Sequence, residues 1–330
     1  MTTMTTINWA QATAAVDSAQ TILIVTHVNP DGDAIGSLLG LANGLRERGK
    51  SPMLAVDGGV PGFLKYLPGS ETVLSELSEG EWDLVISVDS SDAERSGKVG
   101  IYGQAHSKTI INLDHHPTNT RFGHIHVIIP DAVSATEIVY RWLVEMNQPV
   151  TRPVALPLLT GLVTDTNGFR TSNVKSTTLE VAQRLMEAGA SLTEVTARTL
   201  GSTPYQTIQL WKQVLPSVEL DGGVIHASIR RADFPNVEAG DNSSGGLVTF
   251  LLTANEAMVS AIFKELADGR IELSFRCKPG FDVATLAFSL GGGGHKQASG
   301  ATIAGPLEQA KLRVLPLLRQ VVATGNLTIV

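Results

Sequence analysis

The chain alternates short apolar runs with longer segments in which apolar residues recur every three or four positions. Thr21 to Val25, Leu84 to Val88 and Thr109 to Leu113 are runs of strand length and read as strands buried on both faces. After the first run, Ile35, Leu38, Leu39, Ala42 and Leu45 fall on one face of a helix that closes at Gly49. Trp9, Ala12, Val16 and Ala19 show the same spacing and predict a leading helix within residues 1–20. Pro52 to Val56 predicts a second short strand. Ser134 and Glu137 are spaced as a capping box for a helix to about Met146, and Thr177 and Glu180 for one closing at Gly189. Val154 to Val163 is apolar throughout and fits a helix better than a strand. Strands alternating with helices in this way predict a parallel α/β sheet with helices on both faces.

The pattern changes after residue 216. Strands are expected at Val224 to Ile229, Met258 to Phe263, Ile271 to Cys277, Ala301 to Ala304 and Leu327 to Val330. Helices are expected at Gly246 to Ala254, from an Asp282 cap to Leu290, and from about Pro306. This is a smaller, mixed α/β arrangement. A length of 330 residues suits two domains. The division expected is residues 1–190, a helical linker at 191–216, and residues 217–330, with a cleft between the two domains.

Composition narrows the class. Hydrophobic residues make up 43% and charged residues 17%, as in an ordinary enzyme with a sizeable core. No apolar run is long enough to span a bilayer, and polar Met1 to Ala10 does not have the form of a signal peptide. Cys277 is the only cysteine, which excludes intrachain disulfides and fits a reducing cytoplasm. The net charge is −7. Residues 1–215 hold 15 Lys and Arg against 21 Asp and Glu, so the acid excess lies mostly in the first domain. Such a surface does not suit long duplex nucleic acid, though a small anion can bind where divalent cations fill an acidic pocket.

Polar groups of one kind follow the apolar runs. His27, Asp31 and Asp33 follow the first, Asp89 the second, and Asp114, His115 and His116 the third; Asp165 follows Val163. Parallel strands bring their carboxyl ends side by side, where α/β sheets bind ligands. An isolated Asp33 would read as a helix cap. Asn29 to Asp33 also resembles the opening of a calcium loop, but the twelfth position from Asn29 is Gly40 and from Asp31 is Ala42, not the required Glu. Five acids and three histidines exceed what helix caps explain. Clustered carboxylates repel one another unless cations intervene, and this donor set suits two hard divalent cations sharing a carboxylate. His106, His124, His126 and His226 have no motif around them and are expected to be structural. Gly291 to Gly294, followed by His295 and Lys296, has neither Walker nor dinucleotide-fold spacing, but lets backbone N–H groups approach an anion.

Four motifs, His27-x-x-x-Asp31-x-Asp33, Val88-Asp89-Ser90, Asp114-His115-His116 and Thr164-Asp165-Thr166, together resemble the DHH phosphoesterase superfamily. Gly291 to Gly300, with Arg276 upstream, resembles its DHHA1 domain. The whole is most similar to the bacterial branch of oligoribonucleases that also act as phosphatases on 3′-phosphoadenosine 5′-phosphate (pAp). One departure is Asn167, where the family often has Gly. The resemblance implies a two-metal hydrolase acting on short single-stranded RNA or DNA oligonucleotides and on pAp, without long duplexes or membranes as partners; a homodimer is left open. It implies Mn²⁺, with Mg²⁺ or Co²⁺ as substitutes. His27, Asp31 and Asp89 would hold one ion, and Asp33, Asp89, His115 and Asp165 the other. His116 would act at the phosphate or leaving oxygen, with Asp114 supporting the histidines. Arg276, Gly292, Gly293, Gly294 and His295 would clamp the substrate, with Lys278, Lys296 and Arg95 as further cations. The alternatives are a cyclic or linear dinucleotide phosphodiesterase, a RecJ-like single-strand exonuclease, an inorganic pyrophosphatase, and a nucleotide-binding module without activity.

Overall fold

The computed structural model describes residues 8–231 and 243–324. The chain divides into two compact units, Met1–Ser202 and Thr203–Val330. Among the described residues, no helix is long and apolar enough to cross a membrane.

The first unit is built on strands β1 (Ile22–Val25), β2 (Met53–Ala55), β3 (Val73–Leu74), β4 (Trp82–Val88), β5 (Ser107–Asp114) and β6 (Ile125–Ile128). They form one parallel sheet in the order β3-β2-β1-β4-β5-β6. Its helices are α1 (Trp9–Ser18), α2 (Gly32–Glu47), α3 (Gly97–Ala105), α4 (Ala135–Glu145), α5 (Arg152–Asp165), α6 (Ser176–Glu187) and α7 (Leu192–Thr199). Alternate residues of β1 serve opposite faces. Ile22 and Ile24 join the large core with α1, α2, α4 and α5, whereas Leu23 and Val25 join a smaller core with Val99 of α3. Helices therefore cover both faces, as the patterning predicts. β3, α3 and β6 are additions to the predicted elements. At α6 the expected cap differs: Lys175 occupies the N-cap, and its N–H donates to Thr178 rather than Thr177 serving as cap.

α2 departs from the one-sided helix expected, because it is buried on every face from Gly32 to Leu45. Gly32, Gly36, Gly40 and Gly44 recur every four residues and form one stripe. A Cβ at Gly36 would stand 2.5 Å from the Pro157 carbonyl oxygen, and one at Gly40 would stand 2.3 Å from Leu158. α5 answers with Gly161, where a Cβ would stand 2.8 Å from Asp33 Oδ1. Gly44 instead faces Leu143 of α4, while Gly32, Gly36 and Gly40 let α5 lie against α2 closely enough to bring its last residue, Asp165, to the strand ends.

The second unit contains α8 (Tyr205–Val214), β7 (Glu219–Asp221), β8 (Val224–Ile229), α9 (Ser243–Leu251), β9 (Val259–Glu265), β10 (Ile271–Cys277), α10 (Ala284–Ser289), β11 (Gly293–His295), β12 (Ala298–Ile303) and α11 (Leu307–Thr324). The sheet order is β11-β12-β10-β9-β8-β7, antiparallel except for the β8–β9 pair. α10 and α11 pack on one face, and α8 and α9 on the other. The strand expected at Leu327 to Val330 lies outside the described residues. The glycine stretch differs from the loop expected, since Gly293, Gly294 and His295 are a strand.

Candidate metal centre

The carboxyl ends of β1, β4 and β5 and the C-terminus of α5 meet at one point. His27 stands two residues after β1. Asp31 caps α2, its Oδ1 accepting from the N–H groups of Asp33 and Ala34, both at 3.0 Å. The cap of α2 is thus made by Asp31, which leaves the Asp33 carboxylate for other partners. Asp33 lies in the first turn of α2 with its carboxylate against the start of α4. It accepts from Ala135 N (2.6 Å), Thr136 N (3.0 Å) and the Thr136 hydroxyl (2.8 Å). Asp89 follows β4 in the left-handed region, with φ 55°. Asp114 is the last residue of β5, and Asp165 the last of α5 rather than part of a loop.

Asp89 is the centre of the arrangement and is 2% exposed. Its Oδ2 lies 3.6 Å from His27 Nε2, and its Oδ1 lies 3.5 Å from His115 Nε2 and 3.7 Å from His116 Nδ1. His115 Nε2 is also 3.8 Å from both Asp33 Oδ2 and Asp165 Oδ2. These separations exceed hydrogen-bond length. They match donors that share a cation, since ligands each about 2.1 Å from one ion stand roughly 3–4 Å apart. Asp89 Oδ1 is buried without a hydrogen bond. His27 donates through Nδ1 to its neighbouring carbonyl, Val28 O, at 2.8 Å, which leaves Nε2 as the ligand atom. His27, Asp31 and Asp89 present donor atoms within 4.8 Å of one another, and so do Asp33, His115 and Asp165. The residues therefore fit two cations with Asp89 between them.

Electrostatics agree. Burial pushes the Asp33 carboxyl up to about 7, helped by neighbouring Asp89. Burial opposes the charge on Asp89 as well, yet the neighbouring imidazoles of His115 and His27 hold it well below the usual range. Burial also works against protonated His27, but Asp89, Asp31 and the Val28 carbonyl outweigh it and raise His27 to about 9. His115 is likewise raised, by Asp89, Asp165 and Asp33 against its burial. Without a metal, protons on the imidazoles compensate the carboxylates. Divalent cations held by these donors would supply that charge instead and displace the protons.

Asp114 is fully buried and spends its oxygens on neighbours. Oδ1 accepts from His116 Nδ1 (2.8 Å), and Oδ2 accepts from Asn119 Nδ2 (2.6 Å). It therefore orients His116, leaving Nε2 as that ring's other nitrogen. Asn119, which the motifs did not flag, also donates to Ser90 O at 3.1 Å and so ties the β4 and β5 loops together. Thr136 and Gly161 are further unflagged contributors. Asn167 has φ 49°, a conformation that glycine adopts freely and Asn tolerates, so the departure from Gly preserves the turn. Arg95 is exposed on the loop after β4, and its carbonyl accepts from Val28 N at 2.8 Å.

In the second unit, Arg276, Ala298 and His295 stand in one row across β10, β12 and β11. Arg276 is partly buried, donates to Phe275 O (2.8 Å) and forms no ion pair among the described residues. A half-buried guanidinium without a carboxylate is suited to an anion. Gly292 and Gly294 have a structural reason: a Cβ would stand 2.0 Å from Gly300 O and 2.5 Å from Ala298 O. Gly293 has open space around its Cβ position. Lys296 is exposed, and Lys278 is bound to the carbonyls of Ala254 (2.9 Å) and Asn255 (3.0 Å). Outside the site, His106 bonds Tyr102 O and His124 accepts from Ile110 N, both structural roles.

The first unit is a parallel α/β sheet with carboxylates and imidazoles gathered at its strand ends, and the second is a mixed sheet carrying a partly buried arginine without an ion pair among the described residues, an arrangement of the kind found in metal-dependent phosphoesterases. The family model for the DHH family, N-terminal domain, matches residues 21–162, and the DHHA1 domain matches 221–324. The chain belongs to the DHH family. It is 35% identical over 303 residues to the bifunctional oligoribonuclease and PAP phosphatase NrnA of Thermus thermophilus, covering 91% of this chain and 89% of that one. The protein of the same name from Bacillus subtilis is 28% identical, covering 86% and 89%. The crystal structure of an exopolyphosphatase-related protein from Bacteroides fragilis superposes with a TM-score of 0.84 at 26% identity, covering 94% of this chain and 95% of that one.

Proposed function

We propose that this protein is a two-metal phosphoesterase that hydrolyses short single-stranded oligonucleotides to mononucleotides and pAp to AMP and phosphate. The observation that carries the reading is Asp89, whose two oxygens face different imidazoles, His27 on one side and His115 on the other. The relatives' names supply the substrates.

In this reading His27, Asp31 and Asp89 hold one Mn²⁺, and Asp33, Asp89, His115 and Asp165 hold the second. When bound, the ions lower the pKa of water and neutralise phosphate oxygens. His116, oriented by Asp114, faces the leaving oxygen through Nε2 and protonates it. Asp33 stays fixed because the start of α4 holds its carboxylate. Residues 1–190 are the catalytic part, joined through 191–216 to a substrate-binding part at 217–330. There Arg276 and His295 take the phosphate that is not cleaved, and Gly293 lets the backbone approach it. Gly292 and Gly294 shape the hairpin, and Lys296 adds charge.

The test is purified protein with Mn²⁺ on pApA, pAp, a longer oligonucleotide, cyclic di-AMP and pyrophosphate. AMP release from both pApA and pAp is expected. No release from either overturns the reading, and activity confined to cyclic di-AMP would replace it with the dinucleotide phosphodiesterase alternative.

A further inference from the structure

The first unit contains nine arginines. Arg48, Arg141, Arg152, Arg184 and Arg198 are paired with carboxylates. Arg46 is bound into the fold through Asn43 and Thr72. The remaining three, Arg95, Arg121 and Arg170, are exposed and make no ion pair among the described residues. All three lie on loops that leave the metal centre: Arg95 after Asp89, Arg121 after His115 and His116, and Arg170 after Asp165. In the acidic half of the chain, the arginines without acid partners collect where the substrate's charge would be.

The loops that carry Arg95 and Arg121 are tied to their neighbours through the backbone, and the loop that carries Arg170 tethers its guanidinium. Val28 N donates to Arg95 O (2.8 Å), and Thr120 N, beside Arg121, donates to Ser91 O (2.8 Å). Arg121 has φ 56°, and Asn119 Oδ1 accepts its N–H (2.6 Å) while the same side chain donates to Asp114. Before Arg170, Asn167, Gly168 and Phe169 are all left-handed, with φ of 49°, 72° and 64°. Non-glycine residues adopt this region at a cost, and it clusters at functional loops. The turn brings Asn167 onto the guanidinium: Arg170 Nε donates to Asn167 O (2.8 Å) and Nη2 to Asn167 Oδ1 (2.9 Å). Both acceptors are neutral, so the positive charge is fixed in position but not cancelled, and the other N–H groups remain to bind an anion.

We propose that Arg121 and Arg170, with Arg95, form a cationic rim on the metal centre that binds the sugar–phosphate backbone next to the scissile phosphate. The proposal rests on the hydrolytic reading above and adds to it a determinant of substrate class. Backbone contacts carry no base information, so the rim favours substrates with further phosphates, whatever their sequence.

The test compares Arg121→Ala, Arg170→Ala and the double variant with wild type on a pentanucleotide RNA and on bis(p-nitrophenyl) phosphate, which has a single phosphorus. Each substitution is expected to raise the pentanucleotide KM about fivefold and to flatten the salt dependence of log kcat/KM by about 0.7. The loss on the ester should be several-fold smaller. Arg170→Lys keeps the charge and should restore the salt slope. Asn167→Gly keeps the left-handed turn, removes only the side-chain tether, and should reproduce part of the Arg170→Ala loss. Equal losses on both substrates, or an unchanged salt slope, overturn the rim. Fluorescence anisotropy of a labelled pentanucleotide, with Ca²⁺ replacing Mn²⁺, reads the rim without turnover. Weaker binding by the variants supports it and unchanged binding overturns it, whereas a wild type that binds and never cleaves overturns only the hydrolytic reading.

Discussion

Asp89→Asn tests the centre most directly. Asn keeps the side-chain volume and is one of the few residues that tolerates the φ of 55° at this position, so the backbone is undisturbed; Ala would add strain. The substitution removes one negative charge that faces His27 Nε2 at 3.6 Å through Oδ2 and His115 Nε2 at 3.5 Å through Oδ1. If both positions hold a cation, each ion loses an anionic ligand at once. Metal stabilisation of a phosphoryl transition state is worth several kcal/mol, and a loss of about 4 kcal/mol lowers kcat by about 10³. The variant should fold, because Asn matches Asp in size and tolerates the left-handed backbone at this position. The assay pairs single-turnover hydrolysis of pApA with metal content after gel filtration. Wild type should carry two Mn²⁺ per chain and the variant at most one. Two ions retained, with a rate within about tenfold of wild type, would refute the bridging assignment.

Three further outcomes are expected. Gly36→Ala places a Cβ 2.5 Å from the Pro157 carbonyl, so α5 must move; overpacking of about 1–3 kcal/mol outweighs a helix-propensity gain of about 1 kcal/mol, and Tm should fall by a few degrees together with Mn²⁺ affinity. An unchanged Tm would show that the helices have slack there. Asn119→Ala leaves Asp114 Oδ2 without its 2.6 Å donor and frees His116 to turn, so kcat should fall about tenfold with little change in KM, and a pure KM effect would contradict the role given to the Asp114–His116 pair. Burial raises the Cys277 thiol to about 11, so at pH 8 its thiolate fraction is about 10⁻³ and alkylation by iodoacetamide should be roughly a hundredfold slower than for the unfolded chain; rapid labelling of native protein would refute that burial.

What could be read from the chain follows from which interactions are local. β1, most of β4 and the C-terminal half of β5 are buried on both faces, so each appears as an apolar run with its ligand residues directly behind it, and the candidate site is legible because a parallel sheet aligns those ends. β6 (Ile125–Ile128) is four residues long with His126 inside it, and α3 carries Gly97, Gly100 and Gly103, so neither has a contrast that periodicity detects. Capping was only half legible. Asp31 and Asp33 are equivalent by spacing, and which of them caps α2 depends on α4, about a hundred residues away, taking the other carboxylate.

The glycines show the same limit from the opposite side. Gly291 to Gly294 suggested an anion loop by composition, yet Gly292 and Gly294 are required by the hairpin itself, because neighbouring backbone occupies the place of their Cβ atoms. The four-residue recurrence from Gly32 to Gly44 was visible in the sequence and has the larger consequence for the site. Removing side chains from one stripe of α2 lets α5 approach, and that approach carries Asp165 to within 3.8 Å of His115. The candidate ligand set is therefore assembled partly by residues with no donor atoms at all. Reading such a set from sequence requires the spacing of the glycines on the packed helices as well as the identity of the acids and histidines.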